Sequence, residues 1–284
     1  MKQKIALITG IGMDSKTMAH FLLSKDYHVI LTYRRNTQQD LEQIRLLFDQ
    51  DLKDCPNSKL EFLFVDICDQ SSVRGLIESI LKKYSYLDEV FLYAGQSHVG
   101  DSFSNPIYTI EASGMAAFNF LDVLKELSKN TKIFQASTSE MFGGREERCP
   151  FNEDSIFECR SPYAIAKHLA YDWCVYFRQT YNMFVCSSFA FNHSNIYRGK
   201  NFYCRKVINA AAKISVGKQK ELLLGNIDHY RDEFYSDFGV EAVYKMMQQQ
   251  EPEDFVLATG VTHHGEEYLD LSFNFFNLNW KDYV

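Results

Sequence analysis

Apolar residues recur along this chain in two rhythms that take turns. Ile5-Ala-Leu-Ile-Thr9 is a continuous apolar run of buried-strand length, broken by Gly10-Ile-Gly12. From about Ser15 to Ser24, Met18, Phe21, Leu22 and Leu23 fall at helical spacing, and His28 to Tyr33 returns to strand character. The alternation continues with strands over Leu60–Val65, Glu89–Tyr93, Lys132–Ala136 and Phe184–Ser188. Between them lie helical patterns over Val73–Tyr84, Met115–Ser128 and Ala164–Thr180. Strands alternating with helices predict a parallel sheet with right-handed crossovers, covered on both faces. The expected fold is therefore α/β: a doubly wound, Rossmann-like parallel sheet.

After about residue 190 the rhythm loosens. Helical patterns over Val207–Val216, Val240–Gln250 and Glu266–Phe276 surround a short apolar Leu222-Leu-Leu224 and a strand-like Phe255–Thr259. This predicts a division into residues 1–190, a dinucleotide-binding domain carrying the catalytic residues, and residues 191–284. The second part is expected to be mostly a smaller substrate-capping region, interleaved with the first.

Composition narrows the class without naming a function. Of the 284 residues 46% are hydrophobic and 24% charged, ordinary values for a soluble globular chain. The net charge of −7 argues against nucleic acid or an anionic membrane as partner, since both need a basic face. Seven cysteines are scattered, odd in number and never in C-x-x-C spacing, which predicts neither a zinc site nor a disulfide framework. The expectation is a metal-free cytoplasmic protein. The apolar run at the N-terminus is one strand long, too short for a signal peptide, and no segment reaches the length needed to span a bilayer.

The ends of the strands carry the candidate chemistry. Gly10-x-Gly12-x-x-Ser15, with Ile11, Met13 and Asp14, sits at the first strand-to-helix turn, where a pyrophosphate would meet backbone N–H groups and the positive helix end. The second strand ends in Tyr33-Arg34-Arg35-Asn36 rather than in an acidic residue. Arginine there can pair with the 2′-phosphate of NADP. Asp66 and Ile67 close the third strand, next to where an adenine would lie, and Tyr93-Ala94-Gly95 puts small residues beside the cofactor path.

Tyr163-Ala-Ile-Ala-Lys167 places a phenol and an ammonium one helical turn apart. A free tyrosine, with a pKa of about 10, is a poor base at neutral pH; a neighbouring cation favours its phenolate. Gln135-Ala-Ser-Thr138-Ser-Glu140 follows a buried strand, and in an open parallel sheet ligands bind beyond the carboxyl ends of strands. Thr138 can hydrogen-bond the oxygen being oxidised, and Glu140 supplies an acid/base group that a simple dehydrogenase does not need.

These stretches, together with Ala94–Gly100, Arg160–Lys167, Phe191-Asn-His193, Arg205-Lys206, Leu224-Gly-Asn226, Arg231-Asp232, Pro252–Val256 and Ala258-Thr-Gly260, run in one order over nearly the whole chain. In them the chain resembles the GDP-mannose 4,6-dehydratases among the extended short-chain dehydrogenases/reductases. The resemblance implies an NADP-dependent hydro-lyase acting on a nucleotide sugar. Its catalytic set would be Thr138, Glu140, Tyr163 and Lys167. It adds Ser97, Tyr108, His193 and Arg198 to the cofactor contacts and makes Ser97, Glu140, Asn192, Lys206 and Arg231 contacts to substrate. It also implies a homodimer or homotetramer.

The pattern departs from the family in places. The glycine turn is one residue shorter, Ser194-Asn-Ile-Tyr-Arg198 lacks the usual Glu, Pro and one arginine, and Glu233 follows Arg231-Asp232 where the family has Trp. Relatives continue beyond the position matching Val284, so a shorter capping region is expected. A 4-epimerase or 4-keto reductase on the same scaffold would need Tyr163 and Lys167 but no base for C5. A non-catalytic NADP-binding homologue would need none of the four.

Overall fold

The structure is a computed structural model that describes residues 2–284. Its strands are β1 (Ile5–Ile8), β2 (His28–Tyr33), β3 (Lys59–Phe64), β4 (Glu89–Leu92), β5 (Lys132–Ala136), β6 (Val185–Ala190), β7 (Asn192–Ser194), β8 (Tyr230–Tyr235), β9 (Phe255–Leu257) and β10 (Thr262–His264). Its helices are α1 (Met13–Leu23), α2 (Gln38–Leu46), α3 (Asp49–Asp54), α4 (Gln70–Tyr84), α5 (Val99–Ser104), α6 (Pro106–Ile110), α7 (Ala116–Leu127), α8 (Pro162–Tyr181), α9 (Tyr203–Ser215), α10 (Ser236–Gln248) and α11 (Gly265–Asn274).

Seven strands form one sheet in the order β3-β2-β1-β4-β5-β6-β9. Every pair is parallel, with Leu7 of β1 level with Ile30 of β2 and Val90 of β4. The continuous apolar runs are the central strands, buried on both sides. One face is covered by α4, α7 and α8 through Ile77, Ile80, Phe120, Leu124 and Phe177, and the other by α1 and α10 through Met18, Leu22, Val243 and Met247. Each such fully buried side chain contributes roughly 1.5–3 kcal/mol relative to exposure. The doubly wound expectation holds. Strand order reverses between β1 and β4, so a crevice opens beyond their carboxyl ends.

Three further strands, β10-β8-β7, make a small sheet, with β8 antiparallel to β10 and parallel to β7. Beside it α9 and α11 enclose a separate core of Val207, Ala211, Leu269, Phe273 and Trp280. This sheet was not foreseen. Strands of three residues, such as Asn192–Ser194 and Thr262–His264, are too short to show a period of two. Helices α2, α3, α5 and α6 were also missed, being short or only weakly apolar.

The chain returns from the small sheet to the large one. Helix α10 packs on the main sheet and β9 pairs with β6, where Asp254 accepts a fork from Arg178 (3.0 and 2.6 Å) and the Ser187 amide (2.7 Å). The helix pattern read from Met115 begins instead as a single π turn over Glu111–Met115. There Gly114 lets the turn approach α8 closely, since a Cβ would stand 3.0 Å from the Ala166 carbonyl oxygen.

Candidate active site

The turn after β1 is built around Gly10, whose φ of +79° suits a residue without Cβ. Thr9 Oγ1 accepts from the amides of Tyr93 and Ala94 (3.0 and 2.9 Å), and the Gly10 amide donates to Thr32 Oγ1 (2.9 Å). These bonds draw the ends of β1, β2 and β4 together. Ser15, in the place of a third glycine, donates its hydroxyl to the Thr9 carbonyl (2.9 Å) inside the turn. Helix α1 has Gly12 at its N-cap and so no side-chain cap, and a Cβ on Gly12 would meet only open space.

A cavity of about 620 Å³ opens beyond these strand ends. Asp14, Tyr93, Ser97, Thr138, Glu140, Tyr163, Lys167, Asn192, His193, Arg198, Lys206 and Arg231 all line it. Among the described residues the buried Tyr93 hydroxyl has no hydrogen-bond partner. An uncapped helix start, an open glycine and an orphaned hydroxyl fit a dinucleotide lying across this crevice.

Thr138 ends the loop after β5 and caps the 3₁₀ turn Ser139–Phe142, its Oγ1 accepting from the Glu140 amide (3.3 Å). This turn aims Glu140 into the cavity, where its carboxylate meets Arg231 Nη1 at 3.5 Å. Helix α8 starts at Pro162, capped by Ser161 Oγ (3.1 Å from the Ala164 amide), and brings Tyr163 and Lys167 to the same wall. Lys167 Nζ donates to the Ala136 carbonyl (2.8 Å) and lies 5.9 Å from the centre of the Tyr163 ring.

Burial drives the electrostatics here. It lowers the Lys167 ammonium to about 8, against the attraction of Asp14. It pushes the Tyr163 phenol up; the Thr138 hydroxyl works downward, Glu140 and Asp14 reinforce the rise, and Arg198 opposes it. The sequence reading expected the lysine to lower this phenol. Instead the ammonium is bonded to Ala136, and loss of solvent outweighs the charges around Tyr163. At Asp14 burial favours the neutral acid, but the His193 charge and hydrogen bond, with Arg198 and Lys167, hold the carboxyl below its usual range.

The other expected cofactor residues lie along the strand ends outside the cavity wall. Arg34 donates to Asp66 Oδ1 (3.0 Å) and to the Tyr108 hydroxyl (2.8 Å), so three residues far apart in sequence form one cluster, while Arg35 is exposed. Gly10, Ile11, Gly12 and Met13 form the first turn and its entry into α1. Ile67 and Ala94 border a small internal void behind the strand ends, and Gly95 backs closely onto Ser113. Lys206 Nζ donates to the Leu223 carbonyl (2.7 Å).

Sequence reasoning missed Tyr203, Glu233, Val243 and Tyr268 on the cavity wall. Glu233 was noticed only as a departure from a pattern; its carboxylate accepts from the Tyr268 hydroxyl (2.8 Å). These residues carry no local signal, because only the packing of α9, β8, α10 and α11 brings them together. Among the described residues no helix is long and apolar enough to cross a membrane.

Comparisons with known proteins match the fold and nearly the whole sequence. A family model described as GDP-mannose 4,6 dehydratase matches residues 7–283. The chain is 38% identical over 287 residues to GDP-mannose 4,6 dehydratase 2 of Arabidopsis thaliana, covering 99% of this chain and 75% of that protein. It is 36% identical over 275 residues to GDP-mannose 4,6-dehydratase of Vibrio cholerae, covering 96% and 72%. In fold it is similar to dTDP-glucose 4,6-dehydratase of Bacillus anthracis in complex with NAD, with a TM-score of 0.81 at 18% identity over 99% of this chain and 83% of that one. It is also similar to RMD of Pseudomonas aeruginosa complexed with NADPH, with a TM-score of 0.77 at 20% identity over 98% and 85%.

Proposed function

The chain belongs to the GDP-mannose 4,6-dehydratase family, and from that premise we propose how its own residues carry out the reaction. The activity is GDP-mannose 4,6-dehydration, a hydro-lyase reaction on a nucleotide sugar with a nicotinamide dinucleotide as cofactor. The observation that carries the residue assignments is the convergence of Thr138, Glu140, Tyr163 and Lys167 on one cavity wall.

A nicotinamide dinucleotide held by the Gly10–Asp14 turn, Tyr93, His193 and Arg198 would supply hydride chemistry, with one hydride taken from C4 of the sugar and given back at C6 so that no cofactor is consumed. Tyr163 takes the proton of the 4-hydroxyl, and Thr138 hydrogen-bonds the same oxygen as it becomes a carbonyl. Lys167, anchored on Ala136, sets a positive charge beneath the reacting groups. The C4 ketone acidifies the C5–H bond, and Glu140 removes that proton. Glu140 then protonates the departing 6-hydroxyl, which leaves as water. Once C6 has regained its hydride, Glu140 passes a solvent proton to C5 and Tyr163 releases the 4-hydroxyl proton to solvent, so both groups return to their starting states and the product is GDP-4-keto-6-deoxymannose. Arg231, beside the Glu140 carboxylate, steadies its charge between these two duties. A 4-epimerase or reductase would have no use for a carboxylate in this position.

NADP is the preferred cofactor in this reading. Its support is the Arg34 guanidinium at the end of β2, braced by Asp66 and Tyr108, with Arg35 exposed beside it. The remaining contacts are those named from sequence: the Gly10–Asp14 turn, Tyr93, Ser97, His193 and Arg198 toward the cofactor, and Asn192, Lys206 and Arg231 toward the substrate. Residues 1–190 form the cofactor half and residues 191–284 the substrate half, which returns α10 and β9 to the main sheet. The same reading has a homodimer or homotetramer at work in the cytoplasm, resting on the scattered cysteines and on the family resemblance.

The test is incubation of the protein with GDP-mannose and NADP⁺, following the mass of the nucleotide sugar. Loss of one water is expected, with solvent deuterium appearing at C5 of the product, where a proton from solvent replaces the one that Glu140 removed. Glu140→Gln is expected to lower turnover by about 10²–10⁴-fold while still developing the near-ultraviolet absorbance of reduced nicotinamide. A Glu140→Gln protein that dehydrates at the original rate would refute the assignment.

A further inference from the structure

A row of contacts outside the catalytic set joins the two halves. On α1, Asp14, Thr17 and His20 recur every third residue and so stand on successive turns of one flank. Opposite them, His193 in β7 and Asn195 and Tyr197 in the loop after it present every second residue. The partners meet in order. His193 Nε2 reaches Asp14 Oδ1 at 3.0 Å, Asn195 Nδ2 donates to Thr17 Oγ1 at 2.7 Å, and the Tyr197 hydroxyl meets His20 Nε2 at 2.9 Å. Asp51 of α3 holds the far side of His20 through Nδ1 at 2.7 Å, and the Lys16 ammonium lies 5.4 Å from the Tyr197 ring.

The first of these contacts is ionic by construction. His193 Nδ1 faces the Phe191 carbonyl at 2.8 Å while Nε2 faces the Asp14 carboxylate. Both partners accept, so the ring satisfies both only when both nitrogens carry protons. Phe234 stacks on it, ring centres 5.0 Å apart. Burial opposes the charge, and the Asp14 charge with both hydrogen bonds overcomes it, so the imidazole is held above its usual pKa. Arg198 and Lys167 are the other cations facing Asp14.

The position of this row gives it a consequence. Its α1 side is the first turns of the helix that begins at the glycine turn; its other side is continuous with Asn192 and Arg198 and leads into α9, which carries Lys206. We infer that the Asp14–His193, Thr17–Asn195 and His20–Tyr197 contacts act as a clasp that couples occupancy of the cofactor site to the position of the substrate half, so that NADP⁺ and the nucleotide of the substrate bind cooperatively. The inference rests on the cofactor and substrate assignments above. Asn195, Tyr197, Thr17 and His20 are positioning residues in it. They hold two binding surfaces in register and touch no reacting atom.

The experiment measures NADP⁺ affinity by calorimetry, with and without saturating GDP, in the whole protein. In the unaltered protein GDP is expected to tighten NADP⁺ binding about fivefold or more, and NADP⁺ to tighten GDP by the same factor. Asn195→Ala and Tyr197→Phe, made separately, are expected to leave NADP⁺ binding alone nearly unchanged and to bring the ratio to about twofold or less. A purely structural role would lower the melting temperature and leave the ratio intact, which overturns the clasp. So would an unaltered protein that binds both ligands independently. Failure of the unaltered protein to bind either ligand would overturn the functional reading, and the clasp with it. Nitrogen-15 NMR of the ligand-free protein near neutral pH supplies the second readout: both His193 nitrogens protonated is expected, and a neutral ring overturns the ionic contact.

Discussion

Lys167 sets stability against chemistry within a single side chain. Burial lowers its ammonium to about 8 from an ordinary 10.5. Because the folded protein binds this proton less tightly than the unfolded chain, the penalty is fully present below about 8 and fades as pH rises toward 10.5. Stability from this group therefore increases through that window. Lys167→Met is expected to remove a penalty on the order of 3 kcal/mol, less the contribution of the hydrogen bond to Ala136. Its melting temperature near neutral pH should match or exceed that of the unaltered protein, and turnover should fall by about 10²-fold or more. Thermal melts across pH check this; a Lys167→Met protein that keeps the alkaline rise would contradict it. Tyr163 shows the same competition, since burial raises its phenol while Thr138 and Arg198 work to release the proton.

At the scale of elements, the short turn that carries Glu140 depends on its exit. Ser139–Phe142 is closed by Gly143 at φ +78°, where a Cβ would run into the backbone carbonyl oxygen of Glu158. That oxygen belongs to the main chain and cannot swing aside. Gly143→Ala is expected to cost about 1–3 kcal/mol and to displace the turn, lowering turnover at least tenfold while NADP⁺ affinity stays unchanged. Calorimetric NADP⁺ titration beside a rate assay separates the two effects, and an equal loss in both would show that the glycine supports the whole site. Ser15 illustrates the converse. Read from sequence it stands where a glycine is usual, yet its hydroxyl bonds the Thr9 carbonyl and so takes part in the turn.

Across the whole molecule, one buried carboxylate fastens the two sheets. Asp232 of β8 accepts from the Thr259 amide (3.0 Å), the Thr259 hydroxyl (2.9 Å) and the Gly260 amide (2.7 Å), fixing the crossing from β9 to β10. Asp232→Ala would remove the acceptor shared by the exposed Thr259 and Gly260 donors, at about 0.5–1.5 kcal/mol for each hydrogen bond lost. Because Arg231 and Glu233 flank it on the cavity side, GDP affinity is expected to fall at least tenfold while NADP⁺ affinity falls much less. Titrations with each ligand decide this, and equal losses would mean that Asp232 holds the fold rather than the substrate half.

Sequence alone determined the alternation of strand and helix, because parallel central strands are buried on both faces and appear as unbroken apolar runs. It also determined the Tyr163–Lys167 spacing, a local property of one helix, and the location of Thr138 and Glu140 at a strand's end. Tertiary structure decided the rest. The three-residue strands of the small sheet pair only because distant segments supply their hydrogen-bond partners. The Lys167 ammonium chose the Ala136 carbonyl, and burial, which no local pattern records, set the direction of its shift and that of Tyr163. Arg231 came to Glu140, and His193 to Asp14, from far along the chain, since a side chain's partner across a cavity is fixed by packing and leaves no mark on its neighbours in sequence.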